Sequence, residues 1–233
     1  MLRAIVFDFD GVIANTEPLH YLAFRDVLAE DGVELSEHDY YGRYLGYSDE
    51  GAFRKIAEDR GLDWSEAMLA AIWERKALRL EELERDRSVL FPGADEAIRR
   101  AAAAAPIAIT SGALRREIVR VLDRAGLTRL FRVIVAAGDT AASKPAPDPY
   151  LATVAQLSAL AATPITGADC VAIEDSPWGV DSAREAELRT VAVTTSYDTH
   201  AFAAADLVIA NISALDVPVL QQLVISERRP KSN

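Results

Sequence analysis

Six short apolar segments, most of them followed by a helical stretch, constrain this chain more than anything else in it. They are Leu2–Phe7 running into Asp8, Ile107–Thr110, Val133–Val135, Val171–Ile173, Thr190–Val193 and Leu207–Ile209. Each is nearly continuous in apolar or β-branched residues, the pattern of strands covered on both faces rather than on one. Helical patterns separate them, from about Ala94 to Ala104, Arg115 to Ala125, Pro149 to Leu160 and Trp178 to Ala186. Strands alternating with helices imply a parallel sheet with helices on both faces.

The first strand breaks the rhythm. After Gly11 the chain turns helical at Glu17-Pro18, with Leu19, Leu22, Ala23, Val27 and Leu28 on one face and Gly32 as the stop. Further helices are expected over Ser48–Arg60 and Ser65–Asp86, and nothing between Asn15 and Ser88 reads as a strand. An excursion of about 70 residues is far longer than an ordinary strand-to-helix loop. The expectation is an α/β protein: a Rossmann-like, doubly wound parallel sheet core from residues 1–16 and 89–233, with an inserted all-helical domain at 17–88. The polar tail from Glu227 to Asn233 is expected to fray.

Charge narrows the partners. The formal net charge of -11 disfavours nucleic acid and anionic membrane, both of which reward basic patches. It equally repels a phosphorylated small molecule, so a site for one needs local positive charge. The single cysteine, Cys170, admits no internal disulfide and lies in an apolar run where a buried small hydrophobe is expected. The apolar start is interrupted by Asp8 and Asp10 and has no small-residue cleavage site, unlike a secretory leader. No run approaches the ~18 apolar residues of a spanning helix. A cytoplasmic protein, monomer or weak homodimer, is expected.

In open parallel sheets ligands sit beyond the carboxyl ends of the strands. Those ends carry Asp8-Phe9-Asp10-Gly11, Thr110-Ser111-Gly112, Ser143-Lys144-Pro145 in the loop after the third strand, and Glu174-Asp175-Ser176. Asp8, Asp10 and Asp175 in one crevice repel each other unless a cation sits among them. Oxygen ligands without a histidine or cysteine cluster suit Mg²⁺, which completes its shell with water and substrate phosphate. The bland alternative is that these acids only cap the next helices in the chain. Asp8 and Asp10, two apart on an extended chain, both reach one phosphoryl group. One can attack phosphorus while the other handles protons at the leaving oxygen and the incoming water. Lys144 would neutralise phosphoryl oxygens, Ser111 would hold one of them, and Gly112 would leave room for close approach.

These stations resemble, in order and spacing, the motifs of the haloacid dehalogenase superfamily: Asp8-Phe-Asp10-Gly11-Val12, Ile107-Ala-Ile-Thr110-Ser111, Lys144-Pro-Ala-Pro-Asp148, and Ile173-Glu174-Asp175-Ser176 followed by Gly179 and Ala183. The helical insertion and Asn15-Thr16-Glu17-Pro18-Leu19-His20 are similar to the cap of the β-phosphoglucomutase-like and phosphoglycolate phosphatase-like branch. The resemblance implies Asp8 as nucleophile and Asp10 as general acid and base. It implies Mg²⁺ held by the Asp8 carboxylate, the Asp10 carbonyl and Asp175, with Glu174 close by. Spacing to the following helix slightly favours Ser111 over Thr110 as the second-motif hydroxyl. A mutase of this branch carries an arginine after a turn like Gly46-Tyr47-Ser48, where this chain has Asp49, and dehalogenases lack the second aspartate present here as Asp10.

The expected activity is therefore a Mg²⁺-dependent phosphatase of a small phosphorylated metabolite, of the sugar phosphate or phosphoglycolate class. A β-phosphoglucomutase-type transfer is the alternative, and a non-hydrolytic phosphoaspartate signalling or binding protein is a further one. The cap would close over the substrate, hinged at Ala14–Thr16 and Ser88–Phe91. Thr16 and His20 are candidate substrate contacts, as is Lys76, for which a solvated helix face is the plainer reading. Trp64, Trp73 and Trp178 are expected to pack in cores.

Overall fold

A computed structural model describes residues 1–45, 47–85 and 88–226. Gly46 of the expected turn, Asp86 at the end of the expected cap helix, and the tail from Glu227 lie outside the described residues. The chain divides into two compact units, Met1–Asn15 with Leu90–Asn233, and Thr16–Val89.

The first unit is built on six strands: β1 (Ala4–Phe7), β2 (Ile107–Thr110), β3 (Phe131–Val135), β4 (Cys170–Glu174), β5 (Arg189–Val193) and β6 (Leu207–Ile209). They pair in parallel in the order β3-β2-β1-β4-β5-β6. In β1, β2, β4 and β5 every residue is buried, so both faces of these strands are covered, which accounts for their largely apolar sequences. Ala4 and Val6 of β1 face a core shared with Tyr150, Val154 and Leu157 on the helix Asp148–Ala159 and Ala183 on the helix Pro177–Glu185. Cys170 joins this core, and burial pushes its thiol up to about 12, which keeps it protonated and inert.

The helices of the second unit are α1 (Glu17–Glu30), α2 (Glu37–Asp39), α3 (Asp49–Arg60) and α4 (Glu66–Arg85), with a π-helical turn at Tyr40–Tyr44; among its described residues there is no strand. Pro18 opens α1. The Ser48 hydroxyl accepts from the Gly51 N–H to start α3, and Gly61 ends it at φ 64°. Phe24, Leu28, Tyr40, Tyr44, Phe53 and Ile72 pack into a core of the unit's own, with Trp64 against its edge. Trp73 does not join it and stands 38% exposed.

The remaining helices belong to the first unit: α5 (Ala94–Ala104), α6 (Arg115–Arg124), α7 (Asp148–Ala159), α8 (Pro177–Glu185) and α9 (Val217–Ile225). The sequence pattern did not reveal α9, which packs against α5 and β4. Where the chain leaves and re-enters this unit, its two runs lie antiparallel: Ala14 bridges Leu90, and the Phe91 N–H donates to the Ile13 carbonyl.

The strand order reverses direction between β1 and β4, and at such a switch point the crossovers diverge and leave a crevice at the carboxyl ends. The fold therefore places at the mouth of that crevice the chain segments that follow Phe7 and Ile173.

Candidate active site

Register brings the first and fourth stations together. Phe7 is paired with Ile173, and the Asp8 N–H donates to the Ile173 carbonyl at 2.9 Å, so Asp8 and Glu174 emerge side by side. One carboxylate oxygen each from Asp8, Glu174 and Asp175 lies within 4.8 Å of the others. Lys144 enters from the loop between β3 and α7. Its ammonium donates to Asp8 Oδ1 at 2.6 Å, Glu174 Oε1 at 2.5 Å and the Thr110 carbonyl at 2.8 Å, and lies 5.2 Å from the centre of the Tyr150 ring. Ser182 steadies that loop through a bond to the Ala146 carbonyl at 2.6 Å.

Glu174 is fully buried and committed. Oε1 also accepts from the Tyr150 hydroxyl at 2.6 Å, and Oε2 accepts from Ser176 Oγ at 3.3 Å. The Ser176 hydroxyl in turn caps α8 by accepting from the Gly179 N–H. A Cβ on Gly179 would lie 2.0 Å from Glu174 Oε2, so this glycine is what lets the carboxylate rest on the helix. The geometry makes Glu174 the anchor of Lys144.

The electrostatics are those of a site short of positive charge. Burial pushes the Asp8 carboxyl well above the usual range; Lys144 pulls it back, while Glu174 and Asp175 push it further up. Burial likewise pushes Asp175 up to about 6, opposed by a hydrogen bond from Ser196 and by Lys144, and aided by Glu174 and Asp10. For Lys144 burial disfavours the ammonium, but the charges of Asp8 and Glu174 outweigh it and hold its pKa above the ordinary value. Three clustered carboxylates facing one ammonium form an all-oxygen donor set with negative charge to spare, which fits a hard divalent cation.

The sequence of residues 2–187 matches the family description "haloacid dehalogenase-like hydrolase". The chain belongs to that family. The CbbY protein of Rhodobacter capsulatus is 33% identical over 230 residues, covering 95% of this chain and 99% of CbbY. A phosphorylated carbohydrates phosphatase of Thermotoga maritima is 27% identical over 192 residues, covering 82% of this chain and 84% of its own length. The crystal structure of CbbY from Rhodobacter sphaeroides in complex with phosphate superposes with a TM-score of 0.80 at 26% identity, over 95% of this chain and 100% of that one.

The other expected residues of this hydrolase's core unit are placed more variously. Asp10 is half-buried, its backbone is bridged to Ala14, and its carboxylate stands outside the group of three. Thr110 turns its hydroxyl into the core, 2.5 Å from Thr153 Oγ1. The Ser111 hydroxyl accepts from the Ala113 N–H at 3.0 Å. Gly112 is exposed, and an added Cβ there would meet no protein atom within 4 Å. Trp178 is 47% exposed instead of packed, in edge contact with Tyr197. Sequence reasoning missed Tyr150, Thr195 and Ser196. The signal for the last two was Thr194-Thr195-Ser196 at the carboxyl end of β5, a strand end not counted among the four stations.

In the second unit Thr16 is buried at the start of α1, and His20 and Lys76 come together with Asp49. A solvated Lys76 is excluded: it has no exposed surface and donates to Asp49 Oδ2 at 2.7 Å. Its ammonium also lies 2.9 Å from His20 Nδ1 and 4.8 Å from the centre of the Phe24 ring. Burial pushes the Asp49 carboxyl up, but bonds and charges from His20 and Lys76 prevail and hold it at about 2. Asp49→Asn would leave a buried ammonium without its counter-charge. It is expected to lower the unfolding free energy by about 2 kcal/mol, the 25% exposure of Asp49 keeping the loss below that of a fully buried pair. Because the folded-state value is depressed, this contribution is present above pH ~4 and is lost as pH falls towards 2. Denaturant unfolding of both proteins across that window checks it; an equal difference at every pH would contradict the assignment.

Proposed function

We propose that the protein is a Mg²⁺-dependent phosphatase of a small phosphorylated metabolite, a sugar phosphate or phosphoglycolate, working through a phosphoaspartate on Asp8. The observation that carries this reading is Asp8 at the switch point, one oxygen held by Lys144 and two further carboxylates within 4.8 Å. The phosphate-bound relative and the carbohydrate phosphatase among its relatives support the substrate class.

Asp8, Asp175 and the Asp10 carbonyl would hold Mg²⁺, which when bound draws charge from the phosphoryl oxygens. Asp8 attacks phosphorus, the ester P–O bond breaks, and the departing oxygen takes a proton from Asp10. Asp10 then takes a proton from water as the water attacks phosphorus, and the bond to Asp8 breaks. Lys144 and Ser111 hold phosphoryl oxygens through both steps. The burial of the Thr110 hydroxyl against Thr153 supports Ser111 in this role. Glu174 keeps Lys144 aimed.

Hydrolysis is preferred to mutase chemistry because of Asp49. The charge of Lys76 is already answered within its own unit, which favours substrates with one phosphate over a bisphosphate. Movement of the helical unit would be hinged near Ala14–Thr16 and Ser88–Phe91. No helix among the described residues is long and apolar enough to cross a membrane, and a cytoplasmic location accords with the metabolite class. Phosphate release from phosphoglycolate, hexose phosphates, β-glucose 1-phosphate, nucleotides and pyrophosphate, with Mg²⁺ and with EDTA, tests the reading. Metal-dependent release from sugar phosphates or phosphoglycolate is expected. Release that is indifferent to EDTA, or confined to nucleotides, would overturn it.

A further inference from the structure

The loop after β5 reaches across the sheet to two other strand ends. Ser196 Oγ donates to Asp175 Oδ2, and Thr195 Oγ1 donates to the Gly11 carbonyl, in the turn just after Asp10. Gly11 lies directly beneath: at φ 76°, a Cβ there would sit 1.8 Å from Asp175 Oδ2 and 3.0 Å from Ser196 Oγ. Asp175 Oδ2 is thus enclosed by a backbone that only glycine can provide and by one hydroxyl.

That enclosure opposes a definite force. Asp175 has the like charges of Asp8 and Glu174 within 4.8 Å, so an unrestrained carboxylate would rotate away from them. Ser196 is exposed, and an exposed serine gains little by leaving water for a neutral partner; a bond to a carboxylate is charge-assisted and stronger. Ligand carboxylates that are hydrogen-bonded from behind keep their orientation, and losing such a partner typically weakens metal binding by roughly 10–100-fold.

We propose that Ser196, steadied by Thr195, is a positioning residue for the divalent cation: it holds Asp175 by Oδ2 so that the other oxygen is presented to the metal. This rests on the reading that Asp8 and Asp175 hold such a cation, and it assigns a role to a loop outside the recognised motifs.

The test is Mn²⁺ binding to the full chain, followed by the spin-resonance signal of the free ion, for wild type, Ser196→Ala and Ser196→Thr, with thermal unfolding beside it. Ser196→Ala is expected to bind Mn²⁺ roughly 10–100-fold more weakly at an unchanged unfolding midpoint, with Ser196→Thr restoring affinity. In turnover the Mg²⁺ concentration for half activity should rise by the same factor, while kcat at saturating Mg²⁺ changes little. Wild-type Mn²⁺ affinity in Ser196→Ala overturns the proposal. If that variant does not fold, Ser196→Cys, similar in size but a poor donor, gives the same decision. A wild-type protein that binds no Mn²⁺ at millimolar concentration overturns the cation site itself, a result separable from any effect at Ser196.

Discussion

Asp8→Asn is expected to fold normally and to lose turnover by roughly 10⁵-fold or more, the scale seen when a covalent nucleophile is removed. The substitution is nearly isosteric, and its amide oxygen can still accept from Lys144, which keeps its bonds to Glu174 and the Thr110 carbonyl. It also removes a buried carboxyl whose ionisation the surroundings oppose, so stability should hold or rise slightly. What is lost is the oxygen proposed to attack phosphorus. Phosphate release under saturating Mg²⁺, with thermal unfolding as control, measures both. Turnover within tenfold of wild type would remove Asp8 from the nucleophile's role.

Lys144→Ala should damage stability and activity together. The ammonium is the only cation within bonding distance of the Asp8 and Glu174 carboxylates among the described residues. Without it Asp8, Glu174 and Asp175 face one another, and the Thr110 carbonyl loses a bond partner. Breaking a buried pair of this kind costs about 3–5 kcal/mol, partly offset where a carboxyl takes up a proton instead. Loss of the charge proposed to neutralise the transferred phosphoryl group is expected to lower kcat by roughly 10³-fold. Denaturant unfolding and steady-state kinetics read the two effects separately. A variant of ordinary stability and near-normal kcat would contradict the central place given to Lys144.

The core site was legible because one rule about parallel sheets converts sequence into space. Each short apolar run had to be a strand, each strand end had to face the same crevice, and Asp8, Lys144, Glu174 and Asp175 are what those ends carry. The rule was not applied to the end of β5, where Thr195 and Ser196 touch the first and fourth stations, and it did not tell that Glu174 rather than Asp10 would join Asp8 and Asp175 in the cluster. Tyr150 was hidden for a different reason. It lies inside α7, where an aromatic reads as core, and only the structure turns its hydroxyl onto Glu174. Lys76 was beyond the reach of pattern altogether. Its neighbours Arg75 and Ala77 suggest a wet helix face, while its partners His20 and Asp49 come from other helices of the unit.

The roles proposed for Asp8 and Asp10 depend on a phosphoaspartate intermediate, and trapping it is the direct test. Enzyme mixed with a turned-over sugar phosphate and Mg²⁺ is quenched in acid within one turnover and reduced with borohydride, which converts an acyl phosphate on aspartate to homoserine. Peptide mass spectrometry then locates the change. Homoserine is expected at position 8, dependent on substrate and Mg²⁺ and absent from Asp8→Asn. Full turnover with an unmodified position 8, or with homoserine at position 10 or 175, would contradict the nucleophile assignment.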